Sequence, residues 1–325
     1  MMLAPTQNSF ICTIIKMVIL RGDSMIKLFT HTDLDGVGCA VLAKLAFGND
    51  VDVEYCNYDD IDSKVEEYFN SGLYNYCHIT DISISEELAY NINNSDRCFQ
   101  LLDHHATALS LNKFDWCIVE VENEDGIKTS GTEMYYHYLV YNDYLNRSDT
   151  LNRFVELVRN YDTWRWSILG EDGIICKQVN DLLYLYGREK FVDWCLGGLH
   201  FDTFPKLEYA DKLVLEIEQN NIDNYVEKKN KQLLIMPLCG KTCGVVFAEK
   251  YFSELGNRLC QMRPEIDFVA MIDMSGTVSY RTIKNDIDLG KDVAKLFGGG
   301  GHAKAAGSIF ANGVQFDVIN SIFKI

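Results

Sequence analysis

Apolar and polar positions along this 325-residue chain follow two successive patterns. In the first, short apolar runs at residues 26–30, 51–56, 76–80, 98–102 and 117–121 read as strands. Between them, residues 37–47, 59–69 and 85–93 carry a helical period. Such alternation predicts an α/β domain with a largely parallel sheet and helices on both faces. Helical patterns follow at 131–145 and 149–161. A long polar–apolar pattern then runs from Pro205 to Gln232, with Leu207, Ala210, Leu213, Val214, Ile217 and Tyr225 spaced as one helical face. In the second pattern, strand-like runs at 233–236, 243–248, 268–274 and 277–282 precede a helix at 289–297, predicting a smaller α/β domain. The expected organisation is an N-terminal extension over 1–24, a first domain over 25–200, a connector helix over 201–232 and a second domain over 233–325.

The unusual polar residues sit where the apolar runs end. His31, Asp33 and Asp35 are spaced i, i+2, i+4, so an extended segment would project all three from one face. Gly36 and Gly38 are then expected to let the backbone turn tightly into the next helix. Asp81 closes the third run, and Asp103-His104-His105 closes the fourth. In parallel sheets ligands bind beyond the carboxyl ends of the strands. Asp162 falls at a predicted helix C-terminus, where the macrodipole disfavours a carboxylate, and this points to another duty. Imidazole with carboxylate and no thiolate suits Mn²⁺, Fe²⁺ or Zn²⁺. Ser130-Gly131-Thr132-Glu133 reads as a capping box, with Ser130 and Thr132 as minor candidates for holding an anion. Four glycines at 298–301 followed by His302 suggest backbone brought close to a ligand, with N–H groups facing an anion.

Charge narrows the partners. The net charge is −17, and it is uneven. From Lys231 onward there are 11 basic and 9 acidic residues, which leaves 19 basic and 38 acidic in the preceding part. A surface this acidic argues against long duplex DNA, whose binding relies on many Lys/Arg–phosphate contacts. It leaves room for a small anionic substrate. The eleven cysteines include no C-x-x-C pair, and Cys39, Cys77, Cys98 and Cys117 lie in apolar runs. An odd count without a secretory signal predicts a reducing cytoplasm. Residues 10–20 are apolar but short of the roughly 20 needed to span a bilayer, and Lys16 interrupts them, so no membrane partner is expected. Met25 is expected to be the natural start. Oligomeric state stays open.

Taken in order, His31-x-Asp33-x-Asp35-Gly36, the isolated Asp81, Asp103-His104-His105 and Asp162 resemble the four motifs of the DHH phosphoesterase superfamily. Ser279-Tyr280-Arg281, the glycines and His302 at 298–302, and Ala305-Ala306-Gly307 resemble its accessory DHHA1 domain. Within the superfamily the chain is similar to the oligoribonuclease, or nanoRNase, branch. The resemblance implies a DHH domain joined to a DHHA1 domain. It implies two divalent ions, with Mn²⁺ expected: His31 and Asp33 on the first, Asp35, His104 and Asp162 on the second, and Asp81 bridging both. Asp103 would orient its neighbours, and His105 would sit near the scissile phosphate. Arg281 and His302 would contact substrate, with Gly299, Gly300 and Gly301 packed against it. The implied reaction is hydrolysis of short single-stranded RNA, down to dinucleotides, to 5′-mononucleotides. The alternatives are action on cyclic nucleotides, linear dinucleotides or 3′-phosphoadenosine 5′-phosphate, and a non-catalytic nucleotide-binding module, which loss of a metal ligand would signal.

Overall fold

In this computed structural model, which describes residues 26–71, 76–95, 97–311 and 313–324, the first apolar run forms β1 (Ile26–His31). The expected extension over 1–24, and Met25, lie outside the described residues. β2 (Val51–Cys56), β3 (Tyr76–Thr80), β4 (Cys98–Asp103) and β5 (Cys117–Val119) complete a five-stranded sheet in the order β2-β1-β3-β4-β5. Every pairing is parallel. β3 is buried at all five positions, as expected of a strand covered on both faces. One face packs α2 (Ile61–Ser71) and α3 (Glu86–Asn93) around Phe29, Ile79 and Leu101. A fully buried Phe such as Phe29 contributes about 1.5–3 kcal/mol relative to an exposed one. On β1, β3 and β4 also pack α1 (Leu34–Phe47) and α4 (Gly131–Tyr141).

The chain passes outward from β1 to β2, then returns to β3 on the opposite side of β1. The carboxyl ends of β1 and β3 therefore flank the topological switch point, where such sheets bind ligands. α5 (Asp149–Asp162), α6 (Glu171–Tyr186) and α7 (Arg188–His200) follow.

The chain divides into two compact units, 1–211 and 212–325. α8 (Tyr209–Gln232) buries Leu215, Ile222 and Val226. The expected face is not the buried one, since Leu213 and Ile217 are exposed. Three consecutive apolar residues, Leu213-Val214-Leu215, allowed two helical registers, and the sequence reading took the wrong one. The second unit holds β6 (Leu234–Leu238), β7 (Lys241–Phe247), α9 (Phe252–Met262), β8 (Phe268–Asp273), β9 (Thr277–Arg281), α10 (Leu289–Asp292), β10 (Gly300–Gly301), β11 (Ala305–Ile309) and α11 (Val314–Phe323). Its strands run β10-β11-β9-β8-β7-β6, antiparallel except for β7 beside β8. The single helix expected over 289–297 is broken at Val293 into α10 and a 3₁₀ turn, Ala294–Phe297.

Mid-sheet, His78 on β3 is buried among the rings of Phe47, Tyr135 and Tyr138, and its Nδ1 lies 2.8 Å from Tyr135 Oη. Burial pushes its pKa down to about 4. The folded value lies below the unfolded value near 6.5. The neutral ring therefore contributes full stability above that pH, and the contribution is lost as pH falls towards 4. Wild type should lose about 2 kcal/mol more stability than His78→Gln between pH 7 and pH 5, in urea unfolding at the two pH values. Equal losses would acquit His78.

Candidate metal centre

β1 ends at His31, and the two aspartates after it are not on a strand. Asp33 is the N-cap of α1, its carboxylate accepting the Gly36 N–H at 3.1 Å, and Asp35 lies in the first helical turn. The extended i, i+2, i+4 geometry is thus corrected: helix entry turns Asp35 inward, while His31 and Asp33 stay at the strand end. The glycines also act differently from expectation. Gly36 is already helical, and a Cβ there would lie 2.2 Å from the His31 carbonyl oxygen. One on Gly38 would lie 2.3 Å from Thr132 Oγ1. They permit close packing of α1 on β1 and α4, and make no turn.

Asp35 is buried, and both its oxygens are held by the start of α4. Gly131 N–H donates to Oδ2 at 2.5 Å and Thr132 N–H to Oδ1 at 2.9 Å. The helix start does hold an anion, as its sequence allowed, and that anion is the chain's own carboxylate. Ser130 caps α4 by accepting the Glu133 N–H at 3.2 Å. The reciprocal half of the box is not made, because Glu133 pairs instead with Arg159 at 2.6 Å.

Two triads of donors result. In His31, Asp33 and Asp81, one ligand atom from each lies within 4.8 Å of the others, and the same holds for Asp35, His104 and Asp162. Asp81 divides its oxygens between them. Oδ2 lies 3.8 Å from His31 Nδ1, and Oδ1 lies 3.2 Å from His104 Nε2. His104 Nε2 is also 3.6 Å from Asp35 and 3.7 Å from Asp162. His31 Nδ1 lies 3.0 Å from Asp33 Oδ2 but out of hydrogen-bond geometry, and Asp81 Oδ2 is buried without a hydrogen-bond partner among the described residues. An unpaired buried oxygen such as Asp81 Oδ2 is costly, and a cation between it and His31 Nδ1, 3.8 Å away, would satisfy both.

Electrostatics point the same way. Burial, then the charges of Asp35, Asp33 and Asp162, drive the Asp81 pKa well above the carboxylate range. Burial, then Asp35 and Asp33, do the same to Asp162. Burial is the largest influence on Asp33 and opposes its ionisation, but His31, the Gly36 N–H and Asp81 together hold that carboxyl low. A bound divalent cation inverts this logic and allows all the carboxylates to ionise. The donor set therefore fits oxygen- and imidazole-binding metals. Asp81 itself adopts a left-handed backbone, φ 57°, uncommon for a residue with a Cβ.

Asp103, at the end of β4, organises the next two residues. Its Oδ1 accepts the His104 N–H at 2.8 Å and lies 2.7 Å from His105 Nδ1, while Ser83 Oγ donates to Oδ2 at 2.5 Å. Burial opposes its charge, yet the His105 bond prevails and lowers its pKa. For His105 burial likewise opposes, and Asp103 prevails and raises it. Sequence reading missed Ser83 and Tyr58. The Tyr58 hydroxyl lies 3.1 Å from His105 Nε2, and its ring is 5.1 Å from that of His31. Tyr58 lies just past the carboxyl end of β2, so the strand-end rule that singled out Asp81 also finds it.

In the second unit Arg281 ends β9, with Ala305 of β11 as its register partner. It donates to the Tyr280 carbonyl at 2.9 Å and to Ser253 Oγ at 3.4 Å, and its buried Nε has no partner. No carboxylate pairs with it among the described residues. A Cβ on Gly256 would lie 2.5 Å from its Cγ. The glycines have a structural reason the sequence did not show. A Cβ on Gly299 would lie 2.0 Å from the Gly307 carbonyl oxygen, and one on Gly301 2.6 Å from Ala306 Cα. Their close approach is to the chain's own β11, whereas Gly300 faces open space. His302 is exposed, and its N–H closes the β10–β11 turn on the Ala305 carbonyl at 2.7 Å.

The chain is 36% identical over 310 residues to the oligoribonuclease NrnB of Bacillus subtilis, covering 93% of this chain and 77% of that protein. Among solved structures, the exonuclease RecJ bound to manganese matches with a TM-score of 0.59 at 14% identity, covering 99% of this chain and 94% of that one. The pGpG-specific phosphodiesterase PggH of Vibrio cholerae matches with a TM-score of 0.52 at 13% identity, covering 92% and 98%. No protein-family model matches.

Close packing at Gly131 yields a test. A Cβ there would lie 2.5 Å from Asp81 Cβ and 2.8 Å from its Cα. Gly131→Ala should cost about 1–3 kcal/mol by overpacking and lower activity by displacing Asp81. Gly197→Ala, on α7 with nothing within 4 Å of its added Cβ, should be neutral or stabilising by up to about 1 kcal/mol. Denaturant midpoints of the two variants check this contrast.

Proposed function

We propose, since this chain belongs to the family of the oligoribonuclease NrnB, a branch of the DHH phosphoesterases, that it hydrolyses short oligoribonucleotides to 5′-mononucleotides at the centre around Asp81. It is a metal-dependent phosphoesterase. The observation that carries the site assignment is the division of the Asp81 oxygens between two donor triads. His31 and Asp33 would hold one ion, Asp35, His104 and Asp162 would hold the other, and Asp81 would serve both. Mn²⁺ is the proposed metal, because imidazole and carboxylate donors without thiolate suit it. When bound, two such ions supply Lewis acidity towards water and the phosphoryl oxygens.

The protein's own groups do the rest. Asp103 accepts from His105 Nδ1, which leaves Nε2 as the atom that holds or gives up a proton beside the phosphate. The raised pKa of His105 keeps that proton available closer to neutral pH. Tyr58 orients the same nitrogen through its hydroxyl. Backbone N–H groups of α4 fix Asp35, so that its carboxylate pays no reorganisation on binding. In the second unit Arg281 lacks a carboxylate partner, and its planar fork suits a phosphate. His302 and the open flank of Gly300 complete the substrate contacts of that unit. The ten described cysteines are all free, which supports a cytoplasmic setting. No described helix is long and apolar enough to cross a membrane.

Substrate length tests the reading. The 38 acidic against 19 basic residues before Lys231 should repel a long phosphate backbone. RNA of two and five nucleotides should be cleaved faster than RNA of twenty at matched concentration with Mn²⁺, and chelation should abolish all three. A time course on labelled RNA measures this. Equal or faster cleavage of the twenty-mer, or full activity in chelator, contradicts the proposal.

A further inference from the structure

A cavity of about 210 Å³ adjoins the carboxylate cluster and is lined on its acidic side by Asp33, Asp35 and Asp162. Tyr161, Trp164, Trp166 and Asn180 line it too, and the chemistry described so far uses none of them. The rings are organised. Tyr161 and Trp166 stack at 5.8 Å between centroids and 18° between planes, and Trp164 lies 5.7 Å from Trp166 at 33°. Trp164 occupies the left-handed region, φ 62° and ψ 9°, where a bulky side chain is an outlier. Its surroundings hold it there. The Trp164 N–H donates to the Tyr161 carbonyl at 3.1 Å, and Ser167 Oγ donates to the Trp164 carbonyl at 2.9 Å. Behind it, α6 approaches so closely that a Cβ on Gly173 would lie 1.9 Å from the Trp166 carbonyl oxygen. Trp164 nevertheless remains 52% exposed. Strain retained to present a large aromatic beside a reactive centre is the pattern of a binding element.

Asn180 is the second, independent observation. It is only 6% exposed, and what it does expose lies in the wall of the same cavity. A side-chain amide carries both donors and an acceptor, so a cavity wall that includes Asn180 suits a ligand with donor and acceptor edges. The cavity is smaller than the roughly 300–1,000 Å³ of sites for drug-sized ligands, which suits one flat ring system and not a whole nucleotide.

We propose that Trp164, supported by Trp166 and Tyr161, stacks one nucleobase of the substrate next to the scissile phosphodiester, with Asn180 meeting that base's edge. The inference rests on the oligoribonuclease reading and adds to it a base-recognition subsite in the first unit. A base must leave its neighbours to enter, so the subsite selects unpaired chain ends. Stacking tolerates every base, whereas the Asn180 amide matches the paired donor and acceptor of adenine.

The test uses the whole chain with Mn²⁺, diadenylate, and the two analogues in which one or the other nucleotide is abasic. Wild type should lose about tenfold to a hundredfold in kcat/KM, mostly through KM, when one particular base is removed. That discrimination ratio should shrink towards one in Trp164→Ala and be largely restored in Trp164→Phe. Asn180→Ala, which alters no backbone conformation, should shrink it too and keeps the test open if Trp164→Ala fails to fold. An unchanged ratio in either folded variant overturns the subsite while leaving the oligoribonuclease reading intact. A wild type that cleaves no dinucleotide and no longer RNA sinks both.

Discussion

Mutual repulsion among carboxylates crowded around the buried Asp81 at the carboxyl edge of the parallel sheet is the constraint on which the rest of the first unit depends. Asp33, Asp35, Asp81 and Asp162 converge on one point, and burial followed by the neighbouring carboxylates raises the pKa of Asp81 and Asp162. A fold does not gather such groups for stability. Each is held in place by a different device: an N-cap for Asp33, two helix N–H groups for Asp35, a left-handed backbone for Asp81, a helix C-terminus for Asp162. Divalent cations would resolve the repulsion, and Asp81 Oδ2, buried without a hydrogen-bond partner among the described residues and 3.8 Å from His31 Nδ1, marks where.

Supporting layers follow from that demand. Thr30 Oγ1 donates to the Gly36 carbonyl, and Thr80 Oγ1 donates to Thr30 Oγ1, so a buried hydroxyl chain ties β1 and β3 beneath the site. Gly36, Gly38 and Gly131 are small because a Cβ at any of them would collide with backbone or with a side chain of the site itself. Asp103 keeps His104 and His105 in register through a single carboxylate oxygen, while Ser83 occupies the other. Displacing one member of this set would move several others.

Much of this was legible in the sequence, for physical reasons. The short apolar runs alternating with helical patterns placed the five parallel strands to within two residues, because central strands such as β3, buried at every position, read as continuous apolar runs. The strand-end rule found His31, Asp81 and Asp103 without knowledge of the sheet. What escaped was local geometry. Nothing in the spacing of Asp33 and Asp35 distinguishes a strand end from a helix N-terminus. The apolar triplet Leu213-Val214-Leu215 hid the true face of α8. The glycine run looked like a ligand cradle, and Gly299 and Gly301 proved to be closing a β-hairpin on β11. Tyr58 was within reach of the strand-end rule, whereas Ser83 and the Trp164 turn were invisible because their importance lies in contacts between distant segments.

The central claim is that Asp81 belongs to two metal sites at once. Calorimetric titration of the metal-free protein with Mn²⁺, for wild type, Asp33→Asn and Asp81→Asn, tests it most directly. The account predicts two equivalents per wild-type chain, one weakened step in Asp33→Asn, and both steps weakened in Asp81→Asn. A single equivalent in the wild type, or only one weakened step in Asp81→Asn, would contradict it.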